Sequence, residues 1–414
     1  MQLRRILTLI LLMLAGSVQA QSRGDDAIVA MQQAYRQGDR ARLAQLLPQV
    51  SGHVLEPWGA YWELKNRLET ASAQEIQDFF ARYAGTYQED RLRNDWLLLL
   101  GQRRDWATFA AEYPKYRMKD DREVRCYALV ATELKGDTPP SAAIAEEVRR
   151  LWLSQRDADD GCRIAAGLLI AQREGPDRLT AQDAWRKARL ALEFNRTRAA
   201  AGAVELVAPD ALPQLNDLIA SPARYLTSRV VVASKMRKEM IVLALIKLAG
   251  GDPDNASRLL ENKWGPQLAP EERNWVWGVI AKQAAQRLGS ASTDALALYE
   301  KVSRDRDLSD DMLAWKARAA LRAPRGPQWP VVLQAINAMS DQARVETTWT
   351  YWKARALLAQ RGETRHAEGA ELLQSIASVR GFYEQLALEE LGQKVTVPPR
   401  AEPPTPQEKE AVRL

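Results

Sequence analysis

Two histidines, two cysteines and a few paired acids are the residues of this 414-residue chain with the most obvious reactive chemistry. His53 and His366 lie far apart, and neither has a third nitrogen or thiolate ligand nearby in sequence. No zinc site is expected, and no nucleophile elbow accompanies either ring. Both therefore read as surface or packing residues. Asp157, Asp159 and Asp160 before Gly161 faintly resemble a calcium loop, but the twelfth place, which needs an acidic oxygen ligand, is Leu168. Helix capping is the better use of these aspartates. Glu271-Glu272, Asp310-Asp311 and Glu389-Glu390 could be offered as catalytic pairs. Neighbours on a helix point about 100° apart and do not converge on a substrate, and the first two pairs lie where helix starts favour negative charge. No catalytic residue, metal or cofactor is assigned.

Tryptophan is abundant, with 13 in the chain, and an indole face can stack on a sugar ring as well as pack a core. Trp277, Trp315 and Trp352 recur at near-equal spacing, so packing explains them. Trp58, Trp62 and Trp264 are less constrained and are the candidates for glycan contact. Cys126 and Cys162 are the two cysteines. In an oxidising compartment a disulfide closing that loop is expected, the alternative being two buried free thiols.

The compartment is suggested by the first twenty residues. Arg4 and Arg5, an apolar run from Ile6 to Ala15, and small residues at Val18 and Ala20 have the layout of a secretory signal cleaved after Ala20. The run of about ten apolar residues falls well short of the roughly 20 that span a bilayer. After residue 20 the best apolar stretch is Met240 to Ala249, also too short, so the mature chain is expected to be soluble and free of the membrane. The formal charge of +5 becomes about +3 without Arg4 and Arg5. Its charges are interspersed, as on solvated helix faces, which argues against nucleic acid as a partner.

Positioning any contact surface falls to helices. Alanine, leucine, arginine and glutamate dominate, and runs of β-branched residues are scarce. Trp277, Trp315 and Trp352 lie 38 and 37 residues apart, and Met240 holds the equivalent place 37 residues earlier. Each is expected in the first helix of a helix-turn-helix pair. Trp349, Trp352, Ala356 and Ala359 fall on one face of a helix over 346–360, Arg361-Gly362-Glu363 turns, and a second helix spans 365–377. Earlier pairs are expected over 27–36 with 40–47, 58–68 with 73–83, and 91–100 with 106–113. Further pairs are expected over 122–134 with 142–153 and 162–170 with 181–192. Turns fall at Gln37-Gly38-Asp39 and at Gly101 to Asp105. Val230-Val231-Val232 reads as a loop or irregular helix. The fold class is all-α: a right-handed α-superhelix, a solenoid of helix-turn-helix pairs, U-shaped or ring-like. Val397 to Pro406 holds five prolines in ten positions and cannot pack as a helix. Residues 408–414 look helical again.

The segment Trp349-Thr350-Tyr351-Trp352-Lys353-Ala354-Arg355-Ala356-Leu357-Leu358, then Arg361-Gly362, then Arg380-Gly381-Phe382-Tyr383, resembles the end of the superhelical domain in soluble lytic murein transglycosylases. Residues 94–106 and the pair Cys126 and Cys162, disulfide-linked in that family, extend the resemblance over roughly residues 26–395. It implies an open horseshoe of short helices closed into a ring. It also implies a separate lysozyme-like domain that cleaves the bond between N-acetylmuramic acid and N-acetylglucosamine without water, leaving a 1,6-anhydro sugar. That step needs one carboxylic acid acting first as acid and then as base. The Glu-Ser pair, the Gly-Leu-Met-Gln segment and the Ala-Tyr-Asn-Ala-Gly segment of such domains occur nowhere in residues 1–414.

The expected organisation is a signal over 1–20, a scaffold over 21–395, a proline-rich linker over 396–407, and the start of a truncated linker-domain helix over 408–414. The expected role is a periplasmic, non-catalytic scaffold that contacts peptidoglycan glycan strands, with cell-wall synthesis or remodelling proteins as further partners. A tetratricopeptide-like protein-interaction solenoid is the alternative. An active transglycosylase would require coding sequence beyond Leu414.

Overall fold

The computed structural model describes residues 24–134, 140–171, 178–228, 234–287, 291–397 and 400–411. The signal expected over 1–20, the Val230-Val231-Val232 segment and the last three residues of the helix expected over 408–414 lie outside these residues. Every regular element among the described residues is helical. None of these helices is long and apolar enough to cross a membrane. The chain forms two compact units, Met1–Lys187 with Arg198–Val207, and Ala188–Thr197 with Ala208–Leu414.

In the first unit, α1 (residues 24–37), α2 (Arg40–Leu46), α3 (Glu56–Asn66) and α4 (Ala73–Arg82) come first. They are followed by α5 (Tyr87–Arg103), α6 (Trp106–Glu112), α7 (Arg122–Thr132), α8 (Ala142–Ser154) and α9 (Asp160–Ala171). Their starts are set by local chemistry. Asp39, Ser72, Thr86, Asp105 and Asp121 each accept a backbone N–H of the following helix, and Ser72 with Glu75 closes a reciprocal capping box. Turn residues do the rest: Gly38 has φ +71°, which a residue with a Cβ adopts only at a cost. Alternate helices then stack, α3 on α5, α5 on α7 and α7 on α9, so each buries the stripe it cannot bury alone.

The turn expected at Gly101 to Asp105 is confined to its last two residues, where Arg104 takes the left-handed conformation with φ 60°. Gly101 sits inside α5. A Cβ there would lie 2.4 Å from the Tyr127 ring, so the glycine serves the close crossing of α5 and α7 and breaks no helix. Cys126 on α7 and Cys162 on α9 are joined by a disulfide, Cα to Cα 4.9 Å, and both are fully buried.

The second unit contains α12 (Leu212–Ala220), α13 (Pro222–Ser228), α14 (Lys235–Gly251), α15 (Pro253–Leu259) and α16 (Pro270–Gln286). After α17 (Ala291–Glu300) come α18 (Asp310–Leu321), α19 (Trp329–Ala338), α20 (Asp341–Arg344), α21 (Thr347–Leu358), α22 (Glu363–Ile376), α23 (Phe382–Glu390) and α24 (Pro406–Ala411). The helices α10 (Ala181–Glu193) and α11 (Thr197–Glu205) contribute residues to both units. The stacking rule repeats, with α14 on α16 and α16 on α18. The four equivalent positions fall where the spacing puts them, Met240 on α14, Trp277 on α16, Trp315 on α18 and Trp352 on α21. Met240 and Trp277 are core, whereas Trp315 and Trp352 are only half-buried. The face expected on the helix over 346–360 is also incomplete. Ala359 is exposed, while Tyr351, Ala354 and Leu357 are buried, because α21 is covered by α19, α22 and α23 together.

Most of the interspersed charges lie on exposed or half-exposed positions, but a minority is buried in each unit. In the first, the Arg93 guanidinium lies 3.9 Å above the Phe80 ring and pairs with Glu89 at 2.5 Å and with Glu112. In the second, Arg189 and Glu239 are both fully buried. Arg189 donates to both oxygens of Glu239, at 2.9 and 2.7 Å, and to Glu271 at 2.6 Å. Lys235 bridges Glu239 and Glu272 at 2.8 and 2.7 Å, and buried Lys282 joins Glu193 to Asp311. These pairs stitch α10, α14, α16 and α18 inside the unit.

Arg189→Met leaves Glu239 buried without its main partner and is expected to lower the unfolding free energy by about 3–5 kcal/mol, measurable by urea titration. Reducing the Cys126–Cys162 bridge, or replacing both cysteines by alanine, is expected to cost about 2–4 kcal/mol. Thermal unfolding with and without reductant checks it.

Candidate functional site

Four partly exposed aromatic residues of the first unit lie ring against ring. Pro57 in the first turn helps open α3, and Trp58 and Trp62, four residues apart, project from one face of that helix. Their rings lie 5.8 Å apart. Trp62 stacks on Tyr35 of α1 at 6.2 Å, and Trp58 meets Tyr87, the first residue of α5, at 5.7 Å. The result is a continuous rail of four rings in the order Tyr35, Trp62, Trp58, Tyr87. Three of them are half-buried and Tyr87 is 53% exposed.

A buried polar layer fixes the rail from below. Tyr61 packs edge-on to Trp58 at 5.8 Å and donates its hydroxyl to Asp95 Oδ2 at 2.8 Å, while Lys65 reaches Asp95 Oδ1 at 2.7 Å. Burial, with the Asp95 charge second, pushes the Tyr61 hydroxyl well above the usual phenol range, so it remains a donor. Rings set about 6 Å apart, each tilted 25–42° on the next, present an apolar surface of the kind that packs against the C–H face of a pyranose chair. On the opposite side of α3, a cleft of about 360 Å³ is lined by Glu56, Glu63, Arg67, Glu75 and Arg82. Its arginines are occupied, Arg67 by Glu63 and Glu75 and Arg82 by Glu56.

Of the three tryptophans singled out for glycan contact, the fold brings Trp58 and Trp62 together and removes Trp264. Trp264 closes a π-helical turn over Leu260–Trp264 and is 0% exposed, so no ligand reaches its face. Its spacing carried no sign of burial because the turn that swings it inward is irregular. Tyr35 and Tyr87 were not legible as partners of the tryptophans. Only the packing of α1 and α5 beside α3 joins them.

The remaining chemistry-bearing residues have structural partners. His53 Nε2 donates to Asp25 at 2.8 Å while Nδ1 accepts the Leu55 N–H at 3.1 Å, and His366 Nε2 meets the Gln360 carbonyl at 2.8 Å. The acidic pairs diverge. Glu271 serves Arg189 and Glu272 serves Lys235; Asp310 accepts the Ser340 N–H and hydroxyl, each at 2.7 Å, and Asp311 serves Lys282. Glu390 pairs with Arg355. Asp159 accepts the Cys162 N–H at 2.6 Å, and Asp160 binds Arg104 and Arg163 at 2.6 and 2.9 Å. Both aspartates therefore secure the start of α9.

No family model matches the chain. Among curated proteins, the soluble lytic murein transglycosylase of Salmonella typhimurium is 24% identical over 365 residues, covering 85% of this chain and 53% of that protein. That of Escherichia coli K12 is 22% identical over 355 residues, covering 84% and 52%. The chain resembles the soluble lytic murein transglycosylases. It spans about half the length of the curated relatives it matches. An inactive variant of the lytic transglycosylase Slt from Pseudomonas aeruginosa aligns at 25% identity with a TM-score of 0.45, over 89% of this chain and 58% of that one.

The segments that carry the resemblance fold as a packing joint. Trp349 is buried on α21 with the Arg318 guanidinium 5.1 Å from its ring. Tyr351 and Trp352 meet Tyr383 of α23 at 5.5 and 6.5 Å. Gly381 caps α23, Arg380 is exposed, and Phe382 stands 70% exposed against Tyr383 at 5.2 Å.

Around Asp159, burial is the largest influence and raises the carboxyl to about 6, with Glu123 and Asp160 adding to it and Lys187 opposing. Lys187, held by the carbonyls of Trp152 and Gln155, is lowered by burial to about 8. Because the folded value for Asp159 exceeds the unfolded one, its contribution to stability is complete below about pH 4 and lost as pH rises through 6. Asp159→Asn keeps the cap. Relative to this variant the wild type is expected to gain up to about 3 kcal/mol between pH 7 and pH 4, read from urea unfolding at both pH values.

Proposed function

We propose that this chain is a peptidoglycan-binding helical scaffold, exported and cleaved after Ala20 to work in the periplasm, which holds glycan strands rather than cutting them. The observation that carries the reading is the rail Tyr35, Trp62, Trp58, Tyr87, with ring-to-ring steps of 6.2, 5.8 and 5.7 Å. Its similarity to lytic murein transglycosylases over 85% of its length supports a murein glycan as the ligand. Sugar rings would lie on the indole and phenol faces, with the polar edges of Lys65 and Tyr87 at the margin, and Tyr61, anchored to Asp95, supports Trp58 edge-on.

No cofactor enters this reading, and the acidic residues serve stability. Glu271 and Glu272 are turned to different cations and Asp310 and Asp311 to different partners, so neither pair forms a convergent acid and base. Cell-wall synthesis or remodelling proteins are further partners under this proposal, since a scaffold on the glycan brings bound proteins to it.

Incubation of the purified chain with insoluble sacculi at low salt is expected to deplete it from the supernatant. Trp58→Leu with Trp62→Leu is expected to weaken capture by about thirtyfold, each ring contributing on the order of 1 kcal/mol. Tyr87→Ala, an exposed position that the fold tolerates, is expected to weaken it by severalfold. Capture unchanged in all these variants would remove the rail from the interface, and retrieval of a defined periplasmic protein without affinity for sacculi would favour a protein-interaction solenoid. Release of anhydro-muropeptides would contradict the scaffold role.

A further inference from the structure

The second unit holds a cleft of about 370 Å³ lined by Leu260, Glu261, Gly265, Arg273, Trp277 and Lys301, with Pro266 at its rim. It opens where the helix after α15 loosens into the π-helical turn Leu260–Trp264 and tightens again over Gly265–Gln267. Single π-helical turns of this kind widen the backbone and recur at binding sites. Gly265 is required there, because a Cβ would lie 2.7 Å from the Leu260 carbonyl oxygen. The irregular turn and the cleft are therefore one feature.

Two cations face this space. Arg273, half-buried on α16, donates one N–H to the Gly265 carbonyl at 3.3 Å and has no carboxylate partner among the described residues. That sets it apart from Arg93, Arg149 and Arg189, each neutralised by at least one acid. Lys301 lies 4.7 Å above the Trp277 ring and is paired with Glu261 at 2.5 Å. The lining thus carries one excess positive charge and a guanidinium with most of its donors unused, over a floor closed by the buried Leu260 and Trp277. A guanidinium presents a planar fork that fits a carboxylate with two parallel hydrogen bonds.

We propose that this cleft binds a carboxylate. Arg273 would take it bidentately, and Lys301 would supply the second charge on release from Glu261. The carboxylate class stands on the cleft alone. Only the choice of wall-derived probes rests on the preceding proposal. Two sources carry the same group, the C-terminal carboxylate of a short peptide and the lactyl carboxylate of an acidic amino sugar.

Saturation-transfer NMR and calorimetry on the full chain, with N-acetyl-D-alanyl-D-alanine and with N-acetylmuramic acid, separate the sources, and uncharged N-acetylglucosamine serves as the control. Saturable binding of either acid, weakened about tenfold or more by Arg273→Gln, is the expected result. Glu261→Gln frees Lys301 and is expected to tighten binding by about threefold, a direction that damage to the fold does not produce. Glu261 is more than half exposed, so this variant is expected to fold. Absence of binding by both acids in wild type and Glu261→Gln would overturn the proposal, as would affinity that ignores Arg273 and Glu261. Because these ligands do not use the aromatic rail, a failure here is distinct from a failure to sediment with sacculi.

Discussion

A helix of ten to seventeen residues shields its apolar stripe only by lying against another, and this chain satisfies the need by stacking every second helix on its predecessor. The rows α3, α5, α7, α9 and α14, α16, α18 are that solution carried out in each unit. Their closeness depends on what stands at the crossings. Gly101 lets α5 meet the Tyr127 ring, and Gly278 lets α16 meet Leu308 and Met312, where a Cβ would lie at 2.5 and 2.7 Å.

Close stacking also encloses charge. A helix covered on several sides has no solvated face left, so α14 and α16 carry Glu239, Glu272 and Lys282 into the interior. A buried ion is tolerated when it is paired and hydrogen-bonded, and the Arg189, Glu239, Lys235, Glu272 chain meets that condition. Such a chain contributes little net stability compared with apolar packing, but it penalises any slip in helix register, because a slip would separate partners that have no water to turn to. The role of these charges is therefore alignment of the row more than strength.

The two candidate surfaces differ in origin. The aromatic rail comes from regular helices, with i, i+4 spacing on α3 extended by neighbours from α1 and α5. The carboxylate cleft comes from an irregularity, a π-helical turn held open by a glycine. The first offers flat apolar faces without charge, and the second offers a charge without an internal partner. Stacking and ion pairing are separate modes of recognition, so loss of one leaves the other intact.

Sequence alone determined the helical class, most helix pairs and their near-37-residue spacing, since amphipathic period, caps such as Ser72 and Asp121, and turn glycines such as Gly38 and Gly362 act over a few residues. It pointed to Trp58 and Trp62, together with Trp264, because they stand outside the repeating core position. Tertiary structure decided the rest. It buried Trp264, freed only half of Trp315 and Trp352, narrowed the turn expected at Gly101 to Asp105 to Arg104 and Asp105, and joined Tyr35 and Tyr87 to the tryptophans. It also left Arg273, like Arg103 and Arg322, bonded to a backbone carbonyl and not to an acid. Each of these depends on which helix covers which, and burial and pairing between residues dozens of positions apart leave no local periodic trace.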